Sequence, residues 1–359
     1  MTGMLARFVR AAFAALLLIG AALAAVPAGA APLVIRVGYA GIGPGGSKFV
    51  PGLAGVISGG RYLEQAFADT PDVTVEWFFF KGAGPAVNEA LASGQLDFAF
   101  IGDLPSLTAR AGGLKTKILM ATNARDNLYL VAPAASSISR LEDVKGKRVA
   151  QFRGTSTHLT TERVLTEAGI ARADIQFFNM DDATALAAIA SGDVGAAFGK
   201  AIFLTLVEQK LAKVVYTTKG DPSTVTSSHL LVREDFETAH PDLVGRVVTA
   251  SVKAAAWASD EANRETLFEL WAKSGTPIGV FRADYEGQRL DYRLSPLLDA
   301  LLIETYRYKA AQVKQLGLVR RDVDLDGWFA PKYLHAALKE LGLQNRWVRY
   351  GADGKPLGS

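Results

Sequence analysis

The chain has no cysteine among its 359 residues. That absence excludes disulfides, thiolate zinc sites, cysteine nucleophiles and a lipid-bearing N-terminal cysteine. Charge of one sign is hardly in excess either: 39 Lys and Arg stand against 36 Asp and Glu, a surplus of 3 that is too small for a nucleic-acid binder. The four histidines, His158, His229, His240 and His335, are scattered, so clustered zinc ligands and an H-E-x-x-H helix are missing. A G-x-S-x-G nucleophile elbow is missing as well. Beyond the first thirty residues, no run is long and apolar enough to span a bilayer. Apolar residues are plentiful at 49%, and this length can bury a core in two domains or one large one.

The N-terminus carries a targeting pattern. Arg7 and Arg10 precede an apolar Ala/Leu run from Ala11 to Val26, followed by Pro27 and the small residues Ala28, Gly29 and Ala30. A basic start, a short apolar stretch and an A-x-A site make a cleavable secretory signal over residues 1–30, with cleavage after Ala30. The run is short for a membrane anchor and ends in Pro and Gly instead of a charged flank. Its removal takes away two arginines and no acid, leaving 37 against 36 and a net charge of +1. The expected location is the periplasm.

Along the mature chain, strand-like runs alternate with helical patterns. Leu33–Tyr39, Val73–Phe80, Phe98–Ile101 and Ile118–Thr122 read as strands, with helices near 61–68, 86–93 and from Pro105. A second series begins after 133–139, with strands at 148–152, 175–178, 196–198 and 214–217 and helices at 157–168 and 182–190, and a further strand at 229–232 is approached through Ser227 and Ser228 as a crossing back. Strands separated by single helices predict mostly parallel sheets. From Asp242 onward the pattern is helical, with Ser295 and Pro296 as a helix start and Pro331 opening another helix that stops at Gly342. That tail is expected to buttress the first lobe. The expected division is a signal at 1–30, lobe one at 31–128 and 229–359, and lobe two at 129–228.

Gly41, Gly43 and Gly46 form a literal G-x-G-x-x-G after the first strand. A dinucleotide site needs a helix to open at once, and Pro51, Gly52, Gly55, Gly59 and Gly60 argue against one; the acid expected after the second strand is also missing. Lys48 does not complete a Walker A loop. The remaining readings are a surface loop, or backbone N–H groups facing a small anion with Ser47 as a hydroxyl donor.

Four further strand-to-helix junctions are rich in small and hydroxylated residues: Gly82–Pro85, Gly102–Ser106, Gly154–His158 and Asn179–Asp182. Each places free N–H groups at the carboxyl end of a strand, the edge where open α/β sheets bind ligands. Helix capping accounts for any one of them alone. Their recurrence in both series favours a shared cleft. Lys200, after Gly199, is the cation expected near the strand ends of lobe two, either neutralising an anion or standing solvated. His158 beside Ser156 and Thr157 reads as a capping or packing residue before it reads as a general base.

These residues resemble a known family. The run Trp77–Pro85 with Glu89, Ala90, Leu91, Gly94, Leu96, Asp97, Gly102, Asp103 and Pro105 is similar to the aliphatic sulfonate, nitrate and taurine binding proteins of bacterial ABC transporters. Leu141, Asp143, Lys145–Lys147, Val149, Gly154–Ser156 and His158 follow in order, then Tyr292–Pro296 and Leu316–Leu318. The resemblance implies an α/β, two-lobed periplasmic binding protein fold of type II with two crossover segments, here near 124–131 and 226–232. It implies a monomer without catalysis or cofactor that delivers a small organic anion, an aliphatic sulfonate first, to an inner-membrane permease and its ATPase. The implied site joins Gly41, Ser47, Gly84, Gly102 and Asp103 of lobe one to Thr155, Ser156, Thr157 and His158 of lobe two as hydrogen-bond donors to an oxyanion. Asp103 would accept from a ligand hydroxyl, amine or bound water, and Asp181 would join it for an amine. Lys200, standing where the family has an acid, would favour a plain sulfonate or carboxylate over taurine. The alternatives are an exported two-lobed enzyme, either related to the thiamine-pyrimidine-precursor group or a hydrolase using His158, or a sensor that docks on a receptor.

Overall fold

Runs of β-branched and aromatic residues, each closed by glycine or a polar turn, build ten strands in the computed structural model, which describes residues 32–357 except Ile42 and Ser223. The expected signal at 1–30 lies outside the described residues. The strands are β1 (Leu33–Tyr39), β2 (Val73–Phe79), β3 (Phe98–Gly102), β4 (Thr116–Asp126), β5 (Tyr129–Pro133), β6 (Arg148–Gln151), β7 (Gln176–Asn179), β8 (Ala196–Gly199), β9 (Ala212–Thr217) and β10 (Thr226–Arg233).

They form two five-stranded sheets with matching layouts, β2-β1-β3-β10-β4 and β7-β6-β8-β5-β9. Three neighbours in each are parallel, as the βα alternation predicts. The fourth strand runs against them. β10 is antiparallel to β3 and β4, and β5 is antiparallel to β8 and β9. Both sheets are therefore mixed instead of mostly parallel, because β5 and β10 are the strands by which the chain enters each lobe from the other. The turning angle is left to Asn127–Leu128 and residues 218–222 and 224–225. The strand expected at 229–232 is present as β10, an interior strand of the first sheet, but it begins at Thr226, so the expected crossing at 226–228 is already part of the strand.

The first sheet buries both faces. Ile35, Val37, Phe98, Phe100 and Leu230 face the core formed with helices Leu53–Gly59, Pro241–Ala258, Arg264–Ala272 and Pro331–Glu340. Ala99, Ile101, Ile118 and Leu231 face the helices Ala83–Ala92, Asp103–Ala111 and Ala300–Gln315, where Trp328 is fully buried. The second lobe has two smaller clusters on its faces, around Leu130, Val149 and Phe198, and around Val131, Ala150 and Ala197.

Three local expectations are corrected. The glycine-rich stretch does hold a helix, Leu53–Gly59, because burial of Leu53, Val56 and Ile57 outweighs the glycine penalty and Gly55 lets its backbone lie against the carbonyl of Val50. The long helix starts at Ala300, not at Ser295–Pro296, and Asp299 caps it by accepting from the Leu302 N–H. Pro296 instead offers its carbonyl to the Ala121 N–H beside β4. The helical tail also serves both lobes: Val280 on the helix Ile278–Tyr285 belongs to a lobe-two cluster, and Gly279 lies against Glu208.

Candidate functional site

The strand ends of the two sheets face each other. Helix Asp103–Ala111 starts where β3 ends, and helix Ser156–Glu167 starts just beyond β6, so two helix N-termini with free N–H groups meet across the lobes. The approach is close. A Cβ added to Gly102 would run into Ser156 Oγ, and one added to Gly154 would touch Pro85. Gly102 has ordinary extended geometry, so glycine is required there by the neighbouring lobe and not by its backbone angles.

Thr155 Oγ1 donates to the Phe152 carbonyl at 2.7 Å and lies 2.8 Å from Thr157 Oγ1. Thr155 is half-buried, while Ser156 and Thr157 are buried. His158 is buried too. Its Nδ1 accepts the Gly154 N–H at 3.3 Å, so Nε2 carries the proton toward Glu162 at 3.3 Å, and Arg172 holds Glu162 from the other side. Both ring nitrogens are thus engaged in fixing the turn before the helix.

Asp103 is fully buried. Its carboxylate takes the Leu104 N–H at 2.7 Å, the Ser227 N–H at 3.2 Å and the Lys309 ammonium, which also donates to the Val225 carbonyl at 2.9 Å. That occupancy removes Asp103 as a direct acceptor for a ligand and places it beneath the cleft. Next to it, Ser106 Oγ donates to the Gly102 carbonyl at 2.8 Å, so the 2.8 Å contact with His229 must run from Nε2–H to Oγ, while Nδ1 faces the Tyr306 hydroxyl. Desolvation brings His229 down to about 3. A neutral ring donating toward the serine cannot act as its base.

The floor of the cleft joins the expected Lys200 to groups that lacked a local sequence signal, Asn123, Asp126, Asp284 and Arg293. Lys200 donates to Asp126 Oδ2 at 2.9 Å, joining lobe two to the end of β4. Arg293 lies 3.4 Å from the other Asp126 oxygen and 3.0 Å from Asp284, and Asp284 also accepts from Tyr129 at 2.7 Å and Asn127 at 2.8 Å. Desolvation opposes the charge on Asp126, but Lys200 and Arg293 prevail and hold it below the usual carboxylate range. Lys200 is likewise held high: Asp126 outweighs desolvation. Asn123 connects this floor to the first loop, accepting the Leu53 N–H at 3.3 Å and donating to Asp126 at 3.2 Å.

Tyr39 ends β1 above this pair, half-buried, and its phenol is raised by desolvation against the pull of Lys200. Asp182 is open to water yet lies between the cleft walls; desolvation pushes it up to about 6, Lys200 opposes that, and Asp181 adds to it. Asp181 caps its own helix through the Thr184 N–H at 2.9 Å and sits below its usual value for that reason. Gly41 follows Tyr39 with positive φ, and Ser47 Oγ accepts the Phe49 N–H at 3.1 Å, a turn-closing role. Gly84 is buried against Pro105 within lobe one. The structure therefore brings Gly102, Thr155, Ser156 and Thr157 together at the lobe contact, and Tyr39, Asp182 and Lys200 together around Asp126. Ser47, His158 and Asp181 are engaged in their own turns and helix, and Asp103 is engaged by Ser227 and Lys309 beneath the cleft. Among the described residues, no cluster of His, Asp or Glu could hold a metal ion, and no helix is long and apolar enough to cross a membrane.

Two α/β lobes, each completed by an antiparallel strand arriving from the other, define the periplasmic binding protein fold. The solved structure of a putative periplasmic sulfonate-binding protein SsuA from Methylobacillus flagellatus KT matches with a TM-score of 0.78 and 28% identity, over 89% of this chain and 98% of that one. Residues 79–265, or 187 of 359, match the family described as NMT1/THI5 like, and the chain belongs to that family. A putative aliphatic sulfonates-binding protein of Escherichia coli (strain K12) is 31% identical over 173 residues, 48% of this chain and 50% of that protein. The taurine-binding periplasmic protein of the same organism is 27% identical over 227 residues, 60% of this chain and 69% of that protein. The chain thus spans half the length of the first of these relatives. A 2'-hydroxybiphenyl-2-sulfinate desulfinase of Rhodococcus erythropolis is 31% identical over 156 residues, 42% of this chain and 41% of that protein.

Proposed function

We propose that this chain is the exported solute-binding component of an ABC importer, holding a small organic anion, a sulfonate first, between its lobes. The observation that carries the reading is the meeting of Gly102 with the Thr155–Thr157 helix start, where free N–H groups from opposite lobes and the Ser156 hydroxyl converge on one point. An anion there bridges both lobes and stabilises the closed arrangement by contacts that the open one lacks. Signal cleavage after Ala30, a periplasmic location, a monomeric state and delivery to a permease with its ATPase belong to the same proposal. The sulfonate- and taurine-binding relatives support it.

Asp126 already balances Lys200, so the cation supplies no surplus charge for the ligand. The oxyanion is accordingly held by N–H and hydroxyl donors, with Tyr39 and Asp182 facing the rest of the molecule. Catalysis is not part of the proposal: His229 and His158 both spend their ring nitrogens on structural partners.

A thermal-shift and calorimetric panel of methanesulfonate, taurine, nitrate, sulfate, benzoate and thiamine-precursor pyrimidines tests this. One class of ligand at 100 times its Kd adds about 2.7 kcal/mol of stability and is recovered unchanged. A ligand that is consumed would point to an enzyme, and silence across the panel would overturn the anion assignment.

A further inference from the structure

A concavity of about 380 Å³ opens on the flank of the lobe contact. Leu104 and Thr108 line it from lobe one, Arg153, Gly154, His158 and Asn179 from lobe two, and Leu318 from the segment after helix Ala300–Gln315. Neither Tyr39, Asp126 nor Lys200 borders it. The volume suits a small organic molecule.

Its chemistry is one-sided. Arg153 is exposed, and its guanidinium has no described hydrogen bond or ion pair; only its backbone N–H is engaged, donating to Asn179 Oδ1 at 3.0 Å. That bond fixes the Asn179 amide so that its NH₂ is left as a donor without a described partner. No acid lines the pocket. Behind His158, Glu162 is held by His158 and Arg172, and Asp103, next to Leu104, is held by Lys309. Leu104, Leu318 and the engaged His158 ring supply apolar walls, and Thr108 Oγ1 is turned to the Pro105 carbonyl at 2.9 Å. A lone cation and an amide donor beside apolar walls call for an anion with a compact apolar body.

We propose that this flank pocket, which borders the lobe contact at Gly154 and His158 but lies away from Tyr39, Asp126 and Lys200, is a second ligand site, for a small organic anion with an apolar body. Its walls come from both lobes, so an occupant favours the lobe arrangement seen here and couples to whatever the cleft holds.

Calorimetric titrations with benzoate and benzenesulfonate, and with benzyl alcohol as the uncharged analogue, test the site in the wild type, Arg153→Gln, Arg153→Lys, Leu318→Asp and Lys200→Met. Both anions should show a saturable site that weakens at least tenfold in Arg153→Gln and Leu318→Asp, recovers in part in Arg153→Lys and persists in Lys200→Met; benzyl alcohol should give no saturable heat. Arg153 is exposed, so its replacement should leave the melting temperature in place. Unchanged affinity in Arg153→Gln, absence of saturable binding by either anion, or one shared site lost equally in Arg153→Gln and Lys200→Met would each overturn the proposal. Failure of the cleft reading would appear separately, as ligand binding indifferent to Ser156.

Discussion

In the first lobe the polar side chains that follow β3, Asp103 and Ser106, are fully buried and bound to Lys309 and His229. In the second lobe those that follow β6, β7 and β8 include the exposed Arg153 and Asp182, the half-buried Thr155 and a Lys200 whose side chain is 40% exposed. Strand-end junctions of the two matching sheets have therefore taken different tasks. Lobe one, with its larger core and helical tail, uses its junction chemistry to stiffen the floor behind bare glycines. Lobe two presents side chains over a smaller core. Small and hydroxylated residues at a strand end mark a junction but do not say whether the polar atoms face a ligand or the interior; the long-range partner decides that.

The contrast can be broken at its buried end first. Lys309→Met should strand the Asp103 carboxylate in the interior and cost about 3–5 kcal/mol in urea denaturation. The double change Asp103→Asn with Lys309→Met should be milder than the single one, since no uncompensated charge is left. A comparable loss from Lys200→Met would erase the distinction between the lobes, because that lysine is partly solvated and its surface-type pair should contribute about 1 kcal/mol or less.

Gly102→Ala comes next. The new methyl meets Ser156 Oγ of the other lobe, so the lobes must separate or the helix start must shift, at a cost of about 1–3 kcal/mol. Unchanged circular dichroism with a larger radius of gyration in small-angle scattering is the expected result. Combining it with Ser156→Gly should restore the compact form.

Ser156→Ala should leave folding intact and weaken ligand binding by about 1 kcal/mol, one lost hydrogen bond, while the Thr155 hydroxyl stays on the Phe152 carbonyl. Equal affinity in calorimetry would mean that the Ser156 hydroxyl only shapes the helix start.

The smallest effect belongs to Asp182. Its folded pKa, about 6, lies above that of an unfolded aspartate, so between pH 4 and 6 the folded chain keeps a proton that the unfolded chain releases, and stability falls as pH rises through that window. Asp182→Asn should therefore melt slightly higher than the wild type at pH 7 and the same at pH 4. Solvent at this exposed carboxylate keeps the gain below about 1 kcal/mol.

Much of this was legible from residues alone. Two restarting series of strands and helices are a local pattern, and the junctions at 82–85, 102–106, 154–158 and 179–182 lie at strand ends because glycine and capping residues act within a few positions of themselves. The helix at 53–59 was not legible, since its stability comes from burying Leu53, Val56 and Ile57 and not from propensity. Nor was the cluster of Tyr39, Asp126, Asp182 and Lys200, whose members lie up to 161 positions apart (200 minus 39) and meet through sheet pairing and the crossing at Asn127–Leu128.

The sequence by itself determined the class of fold and where polar junctions stand along the chain, because periodicity, turns and caps are short-range physics. Tertiary structure alone decided which junction residues are free to meet a ligand. Lys309, 206 residues from Asp103, and Asp126, 74 residues from Lys200, claim their partners through contacts that no local pattern encodes, and for the Asp103–Lys309 pair burial away from water makes the claim hard to release.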